Sequence, residues 1–146
     1  VDLILRDPEN LCVARILVVD DDLAVRETIR LVLERAGHSV VTAGDGRNCI
    51  ALCHGGDFEL LLLDIFMPGM DGFETMRLVR ERQPQIPIVV ISGRPVTWDP
   101  EQTPDFLTMA TKLGAVSSLQ KPFRPADLLA AVARGLNASG GVATSP

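Results

Sequence analysis

Four short apolar runs constrain the fold of this chain more than any other feature, because each run ends on a polar residue. The runs and the residues that close them are 16–19 before Asp20, 60–63 before Asp64, 88–91 before Ser92 and 116–120 before Lys121. The run at 60–63 is continuously apolar, as expected for a strand that is covered on both faces. If the runs are parallel strands of one sheet, the polar residues meet at its carboxyl edge, where open α/β sheets bind ligands.

Segments with helical periodicity separate the apolar runs. Apolar residues recur at a helical spacing over Leu23 to Ala36, which predicts a helix there, and Gly37 ends that pattern as helices favour. The same reasoning predicts a short strand at 39–43 and helices at 46–54, 73–83, 105–113 and 126–136. Five strands that alternate with five helices predict a parallel α/β sheet with helices on both faces.

Composition indicates an ordinary globular protein. The chain has 146 residues, of which 47% are hydrophobic and 23% charged, and a chain of this length buries about 70% of its unfolded surface. Its net charge of −5 argues against a nucleic-acid surface, and no apolar stretch resembles a membrane span or a secretory signal. We therefore expect a cytoplasmic protein with one domain at 15–136, an N-terminal extension at 1–14 and a flexible tail at 137–146.

The acidic residues at the predicted strand ends favour a cation site. Asp20, Asp21 and Asp64 would lie within a few ångströms, and two carboxylates 4 Å apart repel by about 4 kcal/mol at an effective dielectric constant of about 20. Such a cluster needs a cation or a retained proton, and a few oxygen ligands with room for water suit Mg²⁺. Capping of the following helix is the simpler alternative, but three consecutive acids, Asp20 to Asp22, exceed what a cap requires.

A nucleophile, an ammonium group and a hydroxyl complete a set that is suited to phosphoryl transfer. A carboxylate such as that of Asp64 can form an aspartyl-phosphate, and Mg²⁺ would bridge it to the phosphoryl oxygens. Lys121 supplies positive charge for the transferring group, and Ser92 supplies a hydroxyl donor. Each residue has an ordinary explanation alone, but together at strand ends they predict a phosphoryl-transfer site.

Two other groups of potential ligands are weaker. Cys49 and Cys53 are four residues apart on a predicted helix, with His54 adjacent. Without a second ligand cluster, this spacing favours small buried helix residues over a zinc site. His38 follows the predicted helix end and is expected to be a plain turn residue.

The motifs resemble the receiver domain of bacterial two-component response regulators. The matching motifs are Val18-Val19-Asp20-Asp21-Asp22, Asp64 with Met67-Pro68-Gly69-Met70-Asp71-Gly72, Ile91-Ser92-Gly93 and Lys121-Pro122-Phe123. The resemblance covers 15–136 and its motifs are highly specific. It implies a flavodoxin-like, doubly wound (βα)5 fold with strand order 2-1-3-4-5. It also implies a signalling domain that catalyses only its own phosphorylation and dephosphorylation.

The resemblance assigns a phosphoacceptor and a metal site. Asp64 would take a phosphoryl group from a sensor histidine kinase or a phosphotransfer protein. Asp21 and Asp64 would bind Mg²⁺ directly with the backbone carbonyl of Phe66, whereas Asp20 would act through water.

The resemblance also implies a switch. Lys121 would pair with the phosphoryl group, and its bond to Pro122 would be cis, an isomer largely confined to X-Pro bonds. Ser92 would move towards the phosphate and shift the population of surface conformations. A downstream protein or a fused output domain would read that surface, whether the chain acts alone or as part of a longer regulator, with no direct binding of nucleic acid or membrane.

The chain departs from the family pattern near the last strand. Family members usually carry an aromatic residue three positions before Lys121, where this chain has Ser118. The preceding segment is longer than in many receivers and contains Trp98, which is predicted either to contact a partner or to pack within its loop. Phe66 and Arg94 are expected to flank the phosphate, and Phe66 is predicted to shield it from water.

A haloacid-dehalogenase-like, Mg²⁺-dependent phosphatase is the alternative function. That family also uses an Asp nucleophile, Mg²⁺, a Ser or Thr and a Lys, and Asp20 and Asp22 would form its Asp-x-Asp motif. Against it, Ala24 stands where that family has Thr, and the chain has no room for a cap domain. A flavin-binding module of the same fold is disfavoured, because carboxylates after the first strand would repel a phosphate.

Overall fold

The computed structural model describes residues 13–67, 72–93, 112 and 114–144. Over these ranges the elements are β1 Arg15–Val19, α1 Leu23–Arg35, β2 Ser39–Ala43, α2 Gly46–Gly55, β3 Leu60–Asp64, α3 Gly72–Arg82, β4 Ile88–Ser92, β5 Ala115–Gln120 and α4 Pro125–Thr144. The predicted strands and helices are therefore confirmed to within a residue or two, except at the end of α4. Apart from residue 112, the predicted helix at 105–113 lies outside the described residues, as do Arg94 and Trp98.

The strands form one parallel sheet in the order β2-β1-β3-β4-β5, as the resemblance implied. This order places the end of β1 beside the end of β3, and β4 beside β5. Every residue of β3 is buried, which agrees with its position at the centre of the sheet. The carboxyl ends of β1, β3, β4 and β5 therefore lie along one edge.

Two apolar cores lie on opposite faces of the sheet. On one face, α2 and α3 pack around Leu61, Leu63 and Met76. On the other face, α1 and α4 pack around Leu62 and Leu128. Because successive side chains of a strand point to opposite faces, β3 supplies both cores and must be apolar at every position before Asp64.

Gly72 lets α3 begin directly against the end of β3. A Cβ atom at Gly72 would lie 2.2 Å from the Cα of Ile65 and 2.7 Å from the carbonyl oxygen of Asp64. The Gly72 N–H donates to the carbonyl of Ile65 at 3.2 Å. Only a residue without a side chain permits so close an approach of two backbones.

The last helix extends past its predicted end at 136. The segment 137–144, which was predicted to lie in the tail, continues α4, so the predicted end of this helix was wrong. Asn137, Ser139 and the glycines at 140 and 141 weaken a helix, but none removes a backbone N–H as proline does. After Pro125, the first residue of α4, the next proline in the chain is Pro146.

Two minor predictions had different outcomes. Cys49 and Cys53 are 0% and 2% exposed on α2, which confirms that they are buried core residues. His38 is more than a turn residue, because its Nδ1 accepts the backbone N–H of Ala14 at 3.0 Å and burial lowers the pKa of its imidazole. The sequence could not show this contact, since it joins the entry of β2 to the residue before β1.

None of the helices in the described ranges combines the length and hydrophobicity of a membrane span.

Candidate functional site

Three aspartates meet at the carboxyl edge of the sheet, as predicted. Asp20 and Asp21 follow β1, and Asp64 ends the neighbouring strand β3. Carboxylate oxygens of the three residues all lie within 4.8 Å of one another. Asp20 is 0% exposed and Asp64 is 2% exposed, whereas Asp21 is exposed. The cluster therefore has a buried base and an exposed rim.

Lys121 reaches into this cluster from the end of β5. Its Nζ lies 2.6 Å from Oδ2 of Asp20 and 3.2 Å from Oδ2 of Asp64. The Lys121 N–H donates to the carbonyl of Ser92 at 2.8 Å, which joins the ends of β4 and β5. The peptide bond from Lys121 to Pro122 is cis, as the resemblance implied.

Burial dominates the electrostatics of Asp64. It raises the pKa of the Asp64 carboxyl from 3.8 to about 6, although the N–H of Phe66 and the Lys121 ammonium act in the opposite direction. Burial alone would lower the pKa of Lys121, but its contacts with Asp20 and Asp64 outweigh burial and raise that pKa. Three ionised carboxylates and one ammonium leave two net negative charges, an arrangement that suits a divalent cation.

The turn after β3 orients the Asp64 carboxylate. The Phe66 N–H donates to Oδ1 of Asp64 at 3.0 Å, while Oδ2 faces Lys121. The Phe66 ring is half-buried and packs on the α2–α3 core. Asp64 pairs with Ile91 in the sheet, so Ser92 lies one residue further along the same edge. The structure thus brings the predicted site residues that it describes to one end of the sheet, namely Asp20, Asp21, Asp64, Phe66, Ser92 and Lys121.

The three consecutive acids divide between two tasks. Asp22 is the N-cap of α1, because its Oδ1 accepts the backbone N–H groups of Ala24 at 2.9 Å and Val25 at 3.3 Å. Asp20 and Asp21 belong to the acidic cluster. Capping therefore applies to Asp22, whereas Asp20 and Asp21 are the residues placed to bind a cation.

One contact of the site was not predicted from the sequence. Arg26 lies on α1, and its Nη1 donates to the carbonyl oxygen of Asp20 at 2.8 Å. Its only signal in the sequence is an arginine placed between the apolar positions Val25 and Ile29 at the start of the helix.

An open groove of about 490 Å³ borders the lysine side of the cluster. Most of its lining is apolar, and the stem of Lys121 forms part of the wall while the ammonium faces the carboxylates. The groove is lined by Ala24, Val25, Thr28, Gly93, Lys121, Pro122 and Phe123.

Comparison with known sequences identifies proteins with the same pattern. The profile of the response regulator receiver domain matches residues 16–133. The chain is 33% identical over 132 residues to the transcriptional regulatory protein TcrA of Mycobacterium tuberculosis. This aligned region is 90% of this chain and 49% of TcrA. It is 39% identical over 116 residues to the response regulator MprA of Mycolicibacterium vanbaalenii, and this aligned region is 80% of this chain and 47% of MprA. The chain thus spans about half the length of these curated relatives.

Solved structures with the same fold include separate receivers and longer proteins. The chemotaxis protein CheY4 of Vibrio cholerae matches with a TM-score of 0.76 and 32% identity over 86% of this chain and 100% of CheY4. NtrX of Brucella abortus matches with a TM-score of 0.80 and 29% identity over 90% of this chain and 28% of NtrX. Because the profile match runs from β1 into α4 and so includes every strand of the sheet, this chain belongs to the response regulator receiver domain family.

Proposed function

We propose that this chain is the phosphoacceptor of a two-component signalling system, with Asp64 as the residue that is phosphorylated. The observation that carries the proposal is the position of the Asp64 carboxylate, which is buried, oriented by the Phe66 N–H and 3.2 Å from the Lys121 ammonium. A carboxylate in this setting is a nucleophile, and the ammonium lies where a transferred group would need positive charge. The donor would be a sensor histidine kinase or a phosphotransfer protein.

The acidic cluster fits a bound Mg²⁺. Its donors are carboxylate oxygens, which Mg²⁺ prefers, and the exposed Asp21 leaves room for water ligands. Asp21 and Asp64 would hold the ion together with the backbone carbonyl of Phe66, and Asp20 would act through water. When bound, the ion supplies positive charge that draws the nucleophile and the phosphoryl oxygens together.

The chain's own residues then account for the transfer. An oxygen of the ionised Asp64 attacks phosphorus, the bond from phosphorus to the donor nitrogen breaks, and the donor imidazole leaves with the bonding electrons. Lys121 remains protonated throughout, because its neighbours raise its pKa, and its ammonium interacts with the phosphoryl oxygens as Asp64 becomes an acyl phosphate. Ser92, at the end of β4, would donate its hydroxyl to one of those oxygens.

The signal would leave through β4, β5 and α4, whose surface Ser92 adjoins. Ser118 is exposed on β5 and pairs with Val90, so the position that is usually aromatic carries only a small hydroxyl side chain. The neighbouring Ser117 accepts a hydrogen bond from Nη2 of Arg134 on α4 at 3.2 Å. Coupling through position 118 would therefore depend on the backbone and a hydroxyl group and not on an aromatic ring.

The partners follow from the family and from the charge. The matched curated relatives are about twice as long as the matched region, so we propose that a fused output domain or a separate downstream protein reads the switched surface. We propose that the receiver domain spans residues 15–136 and that the protein acts in the cytoplasm. With a net charge of −5, this chain is proposed to bind neither nucleic acid nor membrane directly.

The phosphatase alternative lacks support. The profile that matches is that of the receiver domain, and Asp22, which the phosphatase would need as the second residue of its Asp-x-Asp motif, caps α1 instead. A capping carboxylate already engaged by two backbone N–H groups is poorly placed to act as a general acid.

Phosphorylation by acetyl phosphate tests the proposal. The protein is incubated with acetyl phosphate with and without Mg²⁺, and the modified residue is identified by borohydride reduction and mass spectrometry. We expect Mg²⁺-dependent modification of Asp64 that Asp64→Asn abolishes. Asp57→Asn is the matched control, because Asp57 is an exposed aspartate at the opposite end of β3. Modification of Asp20, or none in the presence of Mg²⁺, would contradict the proposal.

A further inference from the structure

Arg26 makes a contact with the acidic site that the proposed chemistry does not use. It lies in the first turns of α1 and is half-buried. Its Nη1 donates to the backbone carbonyl of Asp20 at 2.8 Å. Within the described part of the chain it forms no ion pair with a carboxylate, so its contact with the site is directional rather than a charge pairing.

The Arg26 contact completes the bonding of Asp20. The Asp20 N–H donates to the carbonyl of Ala43 at 3.2 Å, and its Oδ1 accepts the N–H of Asp22 at 2.9 Å. Its Oδ2 faces the Lys121 ammonium at 2.6 Å. Within the described residues this Oδ2 has the ion pair but no hydrogen bond. The directional bonds of Asp20 are therefore those of its N–H, its Oδ1 and, through Arg26, its carbonyl, and they fix the first residue of the turn.

Gly44 provides the space in which the Arg26 guanidinium lies. A Cβ atom at Gly44 would lie 2.9 Å from Nη1 and 3.6 Å from Cζ of Arg26. Gly44 follows β2, the neighbour of β1 in the sheet. The guanidinium is therefore lodged between the end of β1 and the backbone that leaves β2, where an added methyl group would displace it.

We infer that Arg26 is a positioning residue for the proposed Mg²⁺ site, and this inference rests on the proposed function. By holding the carbonyl of Asp20, it sets the path of the turn that carries Asp21, and so the spacing between the Asp21 and Asp64 carboxylates. Asp21 is exposed and depends on that backbone for its position. A rigid, correctly spaced ligand set binds a small ion such as Mg²⁺ more tightly, because the ion demands near-ideal geometry.

Orientation and charge predict opposite effects of removing Arg26. Loss of a hydrogen bond that orients a metal ligand typically weakens metal binding by about 10-fold to 100-fold. Loss of a positive charge near an acidic site would instead strengthen the binding of a cation. We expect weaker binding, because the guanidinium donates to a carbonyl and is not paired with the carboxylates.

Calorimetric titration with Mg²⁺ tests the inference on the whole chain. We expect Arg26→Met to weaken Mg²⁺ binding by about tenfold. Arg30→Met is the matched control, because Arg30 lies one turn further along α1 and pairs only with the partly exposed Glu27 among the described carboxylates. It removes the same charge and should leave Mg²⁺ affinity unchanged.

A second variant removes the contact while keeping the guanidinium. Gly44→Ala should weaken Mg²⁺ binding in the same direction, since its methyl group pushes the flexible end of Arg26 away from Asp20. In the double variant with Arg26→Met, Gly44→Ala should have no further effect, because the contact is already lost. Hydrogen exchange without metal should show faster exchange at the Asp22 amide in Arg26→Met, because that N–H donates to Oδ1 of Asp20.

Four outcomes would overturn the inference. In Arg26→Met, these are an unchanged Mg²⁺ affinity with only a lower free energy of unfolding, or a tighter binding of Mg²⁺. The others are additive effects on Mg²⁺ affinity in the double variant with Gly44→Ala, and an unaltered amide exchange in Arg26→Met. If the wild-type protein itself fails to bind Mg²⁺, the proposed metal site is wrong and the positioning role falls with it.

Discussion

Asp64 carries its charge in a place where burial makes that charge costly. Its carboxyl group is nearly inaccessible to water, and burial is the largest contribution to its raised pKa of about 6. The ammonium of Lys121 offsets part of this cost but is shared with Asp20. A bound cation would remove the rest, so the nucleophile is most fully ionised under the conditions in which the proposed reaction occurs.

The raised pKa of Asp64 predicts how Asp64→Asn changes stability with pH. In the folded state Asp64 keeps its proton up to a pH of about 6, whereas in the unfolded state it loses the proton near pH 3.8. Because the folded state binds more protons between these values, Asp64 lowers the free energy of unfolding as the pH rises from 3.8 to about 6. Asparagine cannot ionise. In EDTA, we therefore expect Asp64→Asn to be more stable than the wild type above pH 6, by on the order of 2–3 kcal/mol, and equal to it below about pH 4.

Urea unfolding at a series of pH values measures this difference. Asp57→Asn is the control, because Asp57 is exposed and its replacement should not produce the same dependence. If Asp64→Asn were less stable than the wild type at neutral pH, the ion pair with Lys121 would outweigh the cost of burial. The predicted direction of the change in the free energy of unfolding would then be wrong.

Phe66 is predicted to prolong the life of the phosphorylated state. Its N–H orients Asp64, and its half-buried ring follows the acceptor by two residues, where it would hinder an attacking water molecule. We expect Phe66→Asn to lose phosphate faster, because a small polar side chain admits and hydrogen-bonds water. Decay of the phosphorylated protein after removal of the donor measures the rate. Phe66→Leu retains apolar bulk and should decay at nearly the wild-type rate, and an unchanged or slower decay of Phe66→Asn would contradict the idea.

At the scale of elements, the start of α1 combines a cap with the turn that carries the proposed metal ligands. Asp22 accepts the N–H groups of Ala24 and Val25, and its own N–H donates to Oδ1 of Asp20. The helix start and the acidic cluster are thus coupled through one backbone, but they depend on different carboxylates.

The cap predicts a stability effect that is separate from the phosphoacceptor. We expect Asp22→Ala to lower the free energy of unfolding by about 1 kcal/mol, because Ala cannot accept the orphan N–H groups, and Asp22→Asn to change it little. Chemical denaturation measures both variants. Acetyl phosphate should still modify Asp64 in each of them, and loss of modification in Asp22→Asn would mean that Asp22 takes part in the chemistry.

At the scale of the whole molecule, Mg²⁺ should stabilise the fold, because its proposed ligands come from the separate strands β1 and β3. A ligand that binds only the folded state stabilises it by about 2.7 kcal/mol at a hundredfold excess over its Kd. We expect the Tm of the wild type to rise with Mg²⁺ at constant ionic strength and to rise much less in Asp21→Asn. An equal rise in both proteins would indicate binding elsewhere, and Asp57→Asn should behave like the wild type.

The strands were predictable because their apolar runs depend on local composition and on burial at both faces. Strand β3 shows this most clearly, since every residue before Asp64 enters one of the two cores. The end of α4 was not predictable in the same way, because Gly and Ser weaken a helix without stopping it. Arg26 and His38 were missed for another reason, since each makes its contact with backbone that only the folded chain brings near.

The sequence by itself determined the alternation of strands and helices, the polar residue at each strand end and their order along the chain, because these depend on periodicity and burial. Only the tertiary structure decided which carboxylate does what. Asp22 caps the helix α1, Asp20 and Asp64 are buried and share the Lys121 ammonium, and Asp21 is exposed at the edge of the cluster. The physical reason is that these roles depend on distances between groups on different strands, and on the burial that raises the pKa of Asp64, neither of which is present before the sheet forms.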